Sequence, residues 1–102
     1  MQIPTQRPLT PGEILEQEFM RPHGLTQGNL ADLIGVSRQR VNEIVNGTRE
    51  ISADSAIRLS QLFGVSPQFW LMCQLRLELW ETLNDPDRAR EYKKIKPIKK
   101  RA

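Results

Sequence analysis

The sequence predicts an all-α domain of five short helices, because glycines and hydroxyl side chains alternate along it as helix stops and starts. Each stop is a glycine that follows an apolar segment with helical spacing, where helices commonly end in a left-handed residue: Gly24, Gly35, Gly47 and Gly64. Each start is a Thr or Ser able to cap a first turn: Thr10, Thr26, Ser37, Ser52 and Ser66. The helices are therefore expected at about residues 11–21, 26–34, 37–46, 52–63 and 66–83.

The pattern of the fifth segment fits either a helix or a strand, because "QLRLELW" alternates apolar and polar residues as a strand does. From Phe69 to Trp80 the chain contains no β-branched residue and is rich in Leu, Gln, Arg and Glu, which favours a long C-terminal helix. Asp85-Pro86 ends it, and the charged remainder is expected to be a disordered basic tail. The predicted organisation is an arm over residues 1–9, one domain over 10–84 and the tail over 85–102.

The size and composition favour a binding module over an enzyme. A chain of 102 residues has little room for a deep internal pocket. It offers no nucleophile with a base, no phosphate loop and no set of metal ligands, so we expect neither catalysis, a cofactor nor a metal. Cys73 is the single cysteine and His23 the single histidine, which excludes a disulfide or a zinc cluster within the chain. No apolar run approaches the roughly 18 residues of a membrane helix, and we expect a cytoplasmic protein without membrane contact.

The positive charge is concentrated in the tail. The net charge is +3, yet residues 86–102 hold eight basic and two acidic side chains, whereas residues 1–85 hold seven basic and ten acidic ones. Any DNA affinity of the domain must therefore come from the local placement of side chains. The tail could contact phosphates without sequence preference, bind a protein partner or act as a degradation-prone end, and a solvated, disordered tail is the favoured interpretation.

The second and third helices are joined by only Gly35 and Val36, which makes them cross steeply in a helix-turn-helix arrangement. On the third helix Val41, Ile44 and Val45 form an inward stripe. The side chains opposite can pair with base edges in the major groove: Arg38, Gln39, Arg40, Asn42 and Glu43. Groups around them are expected to contact phosphates: Gln27, Asn46, Thr48 and Arg49. A solvated face that reads no DNA is the competing interpretation, and the complete unit of caps, stops and short turn favours DNA binding.

The fifth helix is apolar on more than one side, so it needs two partners. One side is expected to pack on the domain and the other on a second copy, in a self-complementary two-fold contact. The expected interface residues are Phe69, Trp70, Met72, Cys73, Leu77, Leu79 and Trp80. The alternative is that the helix folds back with Trp80 beneath its own chain, and Cys73 alone is typical of a small apolar core residue.

These residues resemble the Cro/repressor-like, Xre-type helix-turn-helix family and, within it, the HigA-like antitoxins, also called virulence-associated protein I-like. The resemblance runs over residues 8–83 and is carried by "TPGEILEQEF", "LTQGNLADLIGVSRQRVNEIVNGTREISADSAIRLSQLFGVSPQFWLMCQ" and "LRLELW". Many repressors share the central part, whereas the combination of "PGE" and "PQFWL" is more specific. Gly28 and Asn29 stand where such proteins usually have better helix formers, so a weaker start of the second helix is expected.

The resemblance implies a five-helix Cro/repressor-like bundle that acts as a homodimeric repressor of a palindromic operator in its own promoter. It also implies that the protein binds and silences a RelE/HigB-like, mRNA-cleaving toxin. Carried over onto this sequence, it adds Ser37 to the operator readers and agrees with phosphate contacts at Gln27, Thr48 and Arg49. A stand-alone Xre-type repressor without a toxin partner remains the alternative, since no sequence motif marks a toxin contact.

Overall fold

The structure, a computed structural model, describes residues 4–100, and the regular secondary structure in that range is helical. Helix α1 (Pro11–Ile14) continues as a π-helical stretch (Leu15–Met20), and it is followed by α2 (Gln27–Ile34), α3 (Arg38–Asn46), α4 (Ala53–Phe63), α5 (Pro67–Leu83) and α6 (Pro86–Lys93). The predicted all-α class is confirmed, and no strand occurs among the described residues. Residues 1–3 of the predicted arm and 101–102 of the predicted tail lie outside the described range.

The helix starts follow the predicted capping chemistry. At α1, the Thr10 hydroxyl accepts from the amide of Glu13 at 3.0 Å, and the Glu13 carboxylate accepts from the Thr10 amide at 3.1 Å. At α2, Thr26 and Asn29 form the same reciprocal capping box, in which the backbone amide of Asn29 donates to the Thr26 hydroxyl at 3.1 Å. The expected weakness at Asn29 is therefore offset, because its side chain takes the place of the usual acid.

Helix α1 departs from the expected α-helix at its centre. The i→i+5 pattern of the π-helical stretch places Leu15 and Met20 one turn apart on the same face, and both are buried in the core. Near the start of α1, Gly12 lies directly against the end of α3: an added Cβ would stand 2.2 Å from the carbonyl oxygen of Ile44 and 2.5 Å from that of Val45. The helix that precedes the helix-turn-helix unit thus touches the backbone of α3.

An aromatic cluster ties α5 to the domain. The ring of Phe19 lies 4.8 Å from that of Trp70, 5.0 Å from that of Phe63 and 5.8 Å from that of Phe69, centroid to centroid. Trp70 is fully buried by its own chain, so its predicted place in a dimer interface is wrong. Cys73 is buried in the same way, which confirms the core interpretation and corrects its assignment to the interface; this burial raises the pKa of its thiol.

The first part of the predicted tail is a sixth helix. Asp85 caps α6 by accepting from the amide of Asp87 at 3.0 Å, and Pro86 occupies the first helical position. Ion pairs of Asp85 with Arg88 and of Asp87 with Arg90 span its first turns. Asp-Pro therefore starts a helix as well as ending one. Beyond α6, residues 95–100 form no helix or strand and are exposed.

No helix within residues 4–100 has both the length and the apolar character needed to cross a membrane.

Candidate nucleic-acid interface

Helix α3 is held to the domain by the predicted inward stripe. Val41 and Ile44 are buried in the core, and Val45 is half-buried beside them. Ser37 caps the helix by accepting from the amide of Arg40 at 3.1 Å. Gly35, in the turn before it, has φ of 71°, a left-handed conformation that favours glycine. The two-residue link and the cap together fix where α3 begins.

The opposite side of α3 is free. It presents one guanidinium and three side-chain amides, all exposed: Arg38, Gln39, Asn42 and Asn46. Arg38 forms no ion pair within residues 4–100, so its charge is available to a ligand. Of the predicted base readers, Arg38, Gln39 and Asn42 share this surface, which we call the reading face (Arg38, Gln39, Asn42 and Asn46).

A chain of side-chain amides joins the reading face to the start of α2. The Nδ2 of Asn42 donates to the Oε1 of Gln27 at 3.0 Å, and the Nδ2 of Asn46 donates to the Oδ1 of Asn42 at 3.1 Å. Gln27, predicted to contact phosphate, therefore lies directly beside a predicted base reader. Such a bond presets the orientation of both amides before any ligand arrives.

Arg40 does not belong to the reading face. Its Nη1 donates to the Asp54 carboxylate of α4 at 2.9 Å, and its side chain is partly buried there. That Arg40 reads bases stays a prediction, although its Nη1 is already bonded to Asp54 within its own chain. Glu43 is half-buried and accepts from Arg49 at 3.4 Å, while the Thr48 hydroxyl donates to the Glu43 carbonyl at 3.3 Å. Thr48 and Arg49 are exposed just past the end of α3.

A clamp that the sequence did not reveal fixes the turn between α2 and α3. The Arg58 guanidinium donates to the carbonyl oxygen of Ile34 at 2.8 Å and to Asp54 at 2.9 Å. Asp54 thus binds α3 through Arg40 and the turn through Arg58. Hydrogen bonds from Arg40 and then Arg58 lower the pKa of the Asp54 carboxyl. The i,i+4 spacing of Asp54 and Arg58 was a visible signal, although it did not indicate the turn as their target.

A second clamp holds the loop after α3 against α5. Gln74 accepts from the amide of Ile51 at 2.8 Å and donates to its carbonyl at 3.2 Å. A groove of about 360 Å³ lies beside this contact, and its lining includes Gly47 and Arg49 from the loop after α3 and Glu81 and Thr82 from the last turn of α5. The far end of α5 is therefore adjacent to the far end of α3.

The profile of a helix-turn-helix family, HTH_3, matches residues 17–70 of the chain, which include α2, the turn, α3 and α4. The chain belongs to this family. Antitoxin HigA-1 of Vibrio cholerae is 39% identical over 93 residues, which cover 91% of this chain and 86% of the relative. YbaQ of Escherichia coli K12, an uncharacterised HTH-type transcriptional regulator, is 34% identical over 98 residues, which cover 96% of this chain and 87% of the relative.

A solved structure described as the Pseudomonas aeruginosa antitoxin HigA with the higBA promoter matches with a TM-score of 0.79 and 39% identity, over 90% of this chain and 99% of that one. The HigA-like resemblance is thus confirmed. The chain is a HigA-like helix-turn-helix protein, and these relatives are a transcriptional regulator and two antitoxins.

In this HigA-like chain α5 also carries an exposed apolar row. Leu71, Leu75 and Leu83 are exposed and Leu79 is half-buried, and their spacing of four residues places them along one side of the helix. Of the remaining predicted interface residues, Met72 is exposed, whereas Phe69, Leu77 and Trp80 are half-buried. The predicted interface included Leu79 and left out Leu71, Leu75 and Leu83, because the apolar pattern alone does not show which side of the helix faces inward.

Proposed function

We propose that the protein is a sequence-specific DNA-binding antitoxin that represses its own operon. The observation that carries the proposal is the reading face on α3, which presents three side-chain amides and a guanidinium that forms no ion pair within residues 4–100. Gln or Asn can pair bidentately with adenine, and Arg with guanine, in the major groove. A short helix suffices, since only its leading turns enter the groove.

In this proposal reading and positioning are divided between different residues. Arg38, Gln39 and Asn42 contact base edges, with Ser37 at the groove entrance. The residues around them contact phosphates: Gln27, Asn46, Thr48 and Arg49. The 3.0 Å bond from Asn42 uses only the Oε1 of Gln27, so the Nε2 of Gln27 stays free to donate to a phosphate oxygen. Base reading and phosphate binding are then coupled through one side-chain hydrogen bond.

A homodimer on a palindromic operator completes the proposal. One reading face covers too few bases for useful specificity, so two half-sites about one helical turn apart are needed. The exposed row of Leu71, Leu75 and Leu83 supplies a self-complementary apolar surface for a two-fold contact.

The proposal includes neutralisation of a RelE/HigB-like, mRNA-cleaving toxin. It is supported by the likeness to the Vibrio cholerae antitoxin HigA-1, which covers most of both chains. The second candidate, a stand-alone repressor, is favoured by the equally extensive likeness to the Escherichia coli transcriptional regulator YbaQ. Co-expression with the neighbouring gene decides between them: rescue of a growth arrest caused by that gene supports the antitoxin, and the absence of both arrest and rescue supports the repressor.

Operator recognition is tested with the DNA upstream of the protein's own gene and a scrambled duplex of the same composition. Gln39→Ala should weaken binding to the upstream DNA by about 5- to 150-fold, equivalent to about 1–3 kcal/mol, with little change on the scrambled duplex. The matched control is Gln17→Ala, an exposed glutamine on the π-helical stretch, which should change neither affinity. An equal loss on both duplexes would remove Gln39 from the base-reading set.

A further inference from the structure

The lysines of the protein form a separate cationic surface. All five lie at its C-terminal end: Lys93, Lys94, Lys96, Lys99 and Lys100. None of them makes an ion pair within residues 4–100, whereas six arginines in that range do. The nearest acid in sequence, Glu91, makes no ion pair with them in that range, and Asp85 and Asp87 are paired with arginines of α6. Within the described range the lysine charges therefore have no ion-pair partner.

The segment after α6 is also free of the apolar core. Residues 95–100 form no helix or strand, and Ile98 is 97% exposed. Pro97 lacks an amide donor and holds its φ near that of an extended chain, so the segment resists folding into a longer helix. We call residues 94–100 the lysine segment.

The lysine segment is joined through α6 to the end of α5, which lies beside the loop after α3. The last turn of α5, with Glu81 and Thr82, lines the same groove as Gly47 and Arg49, which directly follow α3. Helix α6 begins three residues after Leu83 and is about 12 Å long. The chain after α6 therefore starts about 12 Å of helix away from a point beside the loop after α3, and seven extended residues add about 23 Å to its reach.

We propose that the lysine segment is a second DNA contact, which binds phosphates next to the operator without reading sequence. This inference rests on the proposed function for its geometry, because α3 must lie in the major groove. Seven extended residues span about 23 Å, and the phosphates of one strand are spaced about 3.4 Å along the duplex axis. The segment therefore follows about six or seven base pairs, enough for its four lysines to meet separate phosphates.

The contact adds affinity and releases counterions, while the operator preference stays with α3. A variant with Lys94→Gln, Lys96→Gln, Lys99→Gln and Lys100→Gln removes four charges at exposed, non-helical positions. A matched variant with Arg at the same four positions keeps the charge. Thermal unfolding of both should be unchanged, since neither alters a buried group.

The experiment measures affinity for the upstream DNA and for a scrambled duplex of about 30 bp, long enough for two half-sites and their flanks, at several salt concentrations. The Gln variant should flatten the dependence of log K on log salt by about 0.9 for each phosphate that the segment no longer binds, or about 2 to 4 for each bound chain. The flattening should be equal on both duplexes, and the ratio of the two affinities should be unchanged. The Arg variant should keep the slope of the wild-type protein.

The outcomes separate this inference from the proposed function. An unchanged slope in the Gln variant overturns the inference and makes a protein the next partner to test for the lysine segment. Failure of the full chain to bind the scrambled duplex at the lowest salt overturns it as well. If the wild-type protein shows no preference for the upstream DNA, the proposed operator recognition fails, yet the slopes on the scrambled duplex still support or overturn the second contact. A variant with Gln at the four positions that no longer prefers the upstream DNA overturns the division of roles.

Discussion

Replacing Gly12 by alanine should destabilise the domain, because α1 and α3 meet there without room for a side chain. The new Cβ would stand 2.2 Å from the Ile44 carbonyl oxygen and 2.5 Å from that of Val45, about 1 Å inside normal contact. Both obstacles are backbone atoms, so a rotamer change cannot relieve the clash and α1 must move. Overpacking of this kind costs about 1–3 kcal/mol, and alanine returns less than about 1 kcal/mol through its helix propensity. We expect a net loss of about 2 kcal/mol.

Gly28→Ala is the matched control for this experiment. Gly28 also lies in the first turn of a helix, but the nearest atom to its added Cβ is 3.9 Å away. This variant should be neutral or more stable by about 0.4–1 kcal/mol, through the reduced entropy of the unfolded chain. Thermal unfolding followed by circular dichroism should place Gly12→Ala about 8–16 °C below the wild-type protein, and Gly28→Ala at or above it. If Gly12→Ala matches Gly28→Ala, the close approach of α1 to α3 is wrong.

Three further predictions concern the interface and the two clamps. Leu75→Glu places a charge in the exposed row of α5 and should give monomers in sedimentation. Leu33→Glu, at an exposed leucine of α2, is the control and should leave the dimer intact. The reverse result would place the interface on α2. Because its arginine partners lower the pKa of Asp54, the pairs stabilise the fold above the ordinary value of 3.8 and cease to do so as pH falls through the lowered pKa. Asp54→Asn should therefore be less stable than the wild-type protein to urea at pH 6 and converge with it in acid, and a constant difference across that range would contradict the pairing. Gln74→Ala removes both hydrogen bonds to Ile51 and should cost about 1–3 kcal/mol in the same assay, with no loss expected if the loop is held elsewhere.

The sequence by itself determined the elements whose chemistry is local. The caps at Thr10, Ser37 and Ser66 act on amides three residues ahead, and Gly35 ends α2 through its own backbone conformation. The inward stripe of α3 follows from helical spacing alone, and Val41 and Ile44 are buried as expected. These interactions span one or two helical turns, so their geometry is set once the helix forms and neighbouring residues suffice to predict them.

Only the tertiary structure decided which polar side chains of α3 remain free and which side of α5 is exposed. Arg40 is bonded to Asp54, which lies 14 positions away, and Trp70 lies against rings from the π-helical stretch and from α4. The glycine at position 12 is required by carbonyls more than 30 residues further along the chain. Such contacts depend on how the helices cross, and many crossing angles are compatible with the same periodic pattern of apolar residues. The polar pattern indicated that α3 has a reading face, and the packing of the helices determines which of its polar side chains remain exposed there.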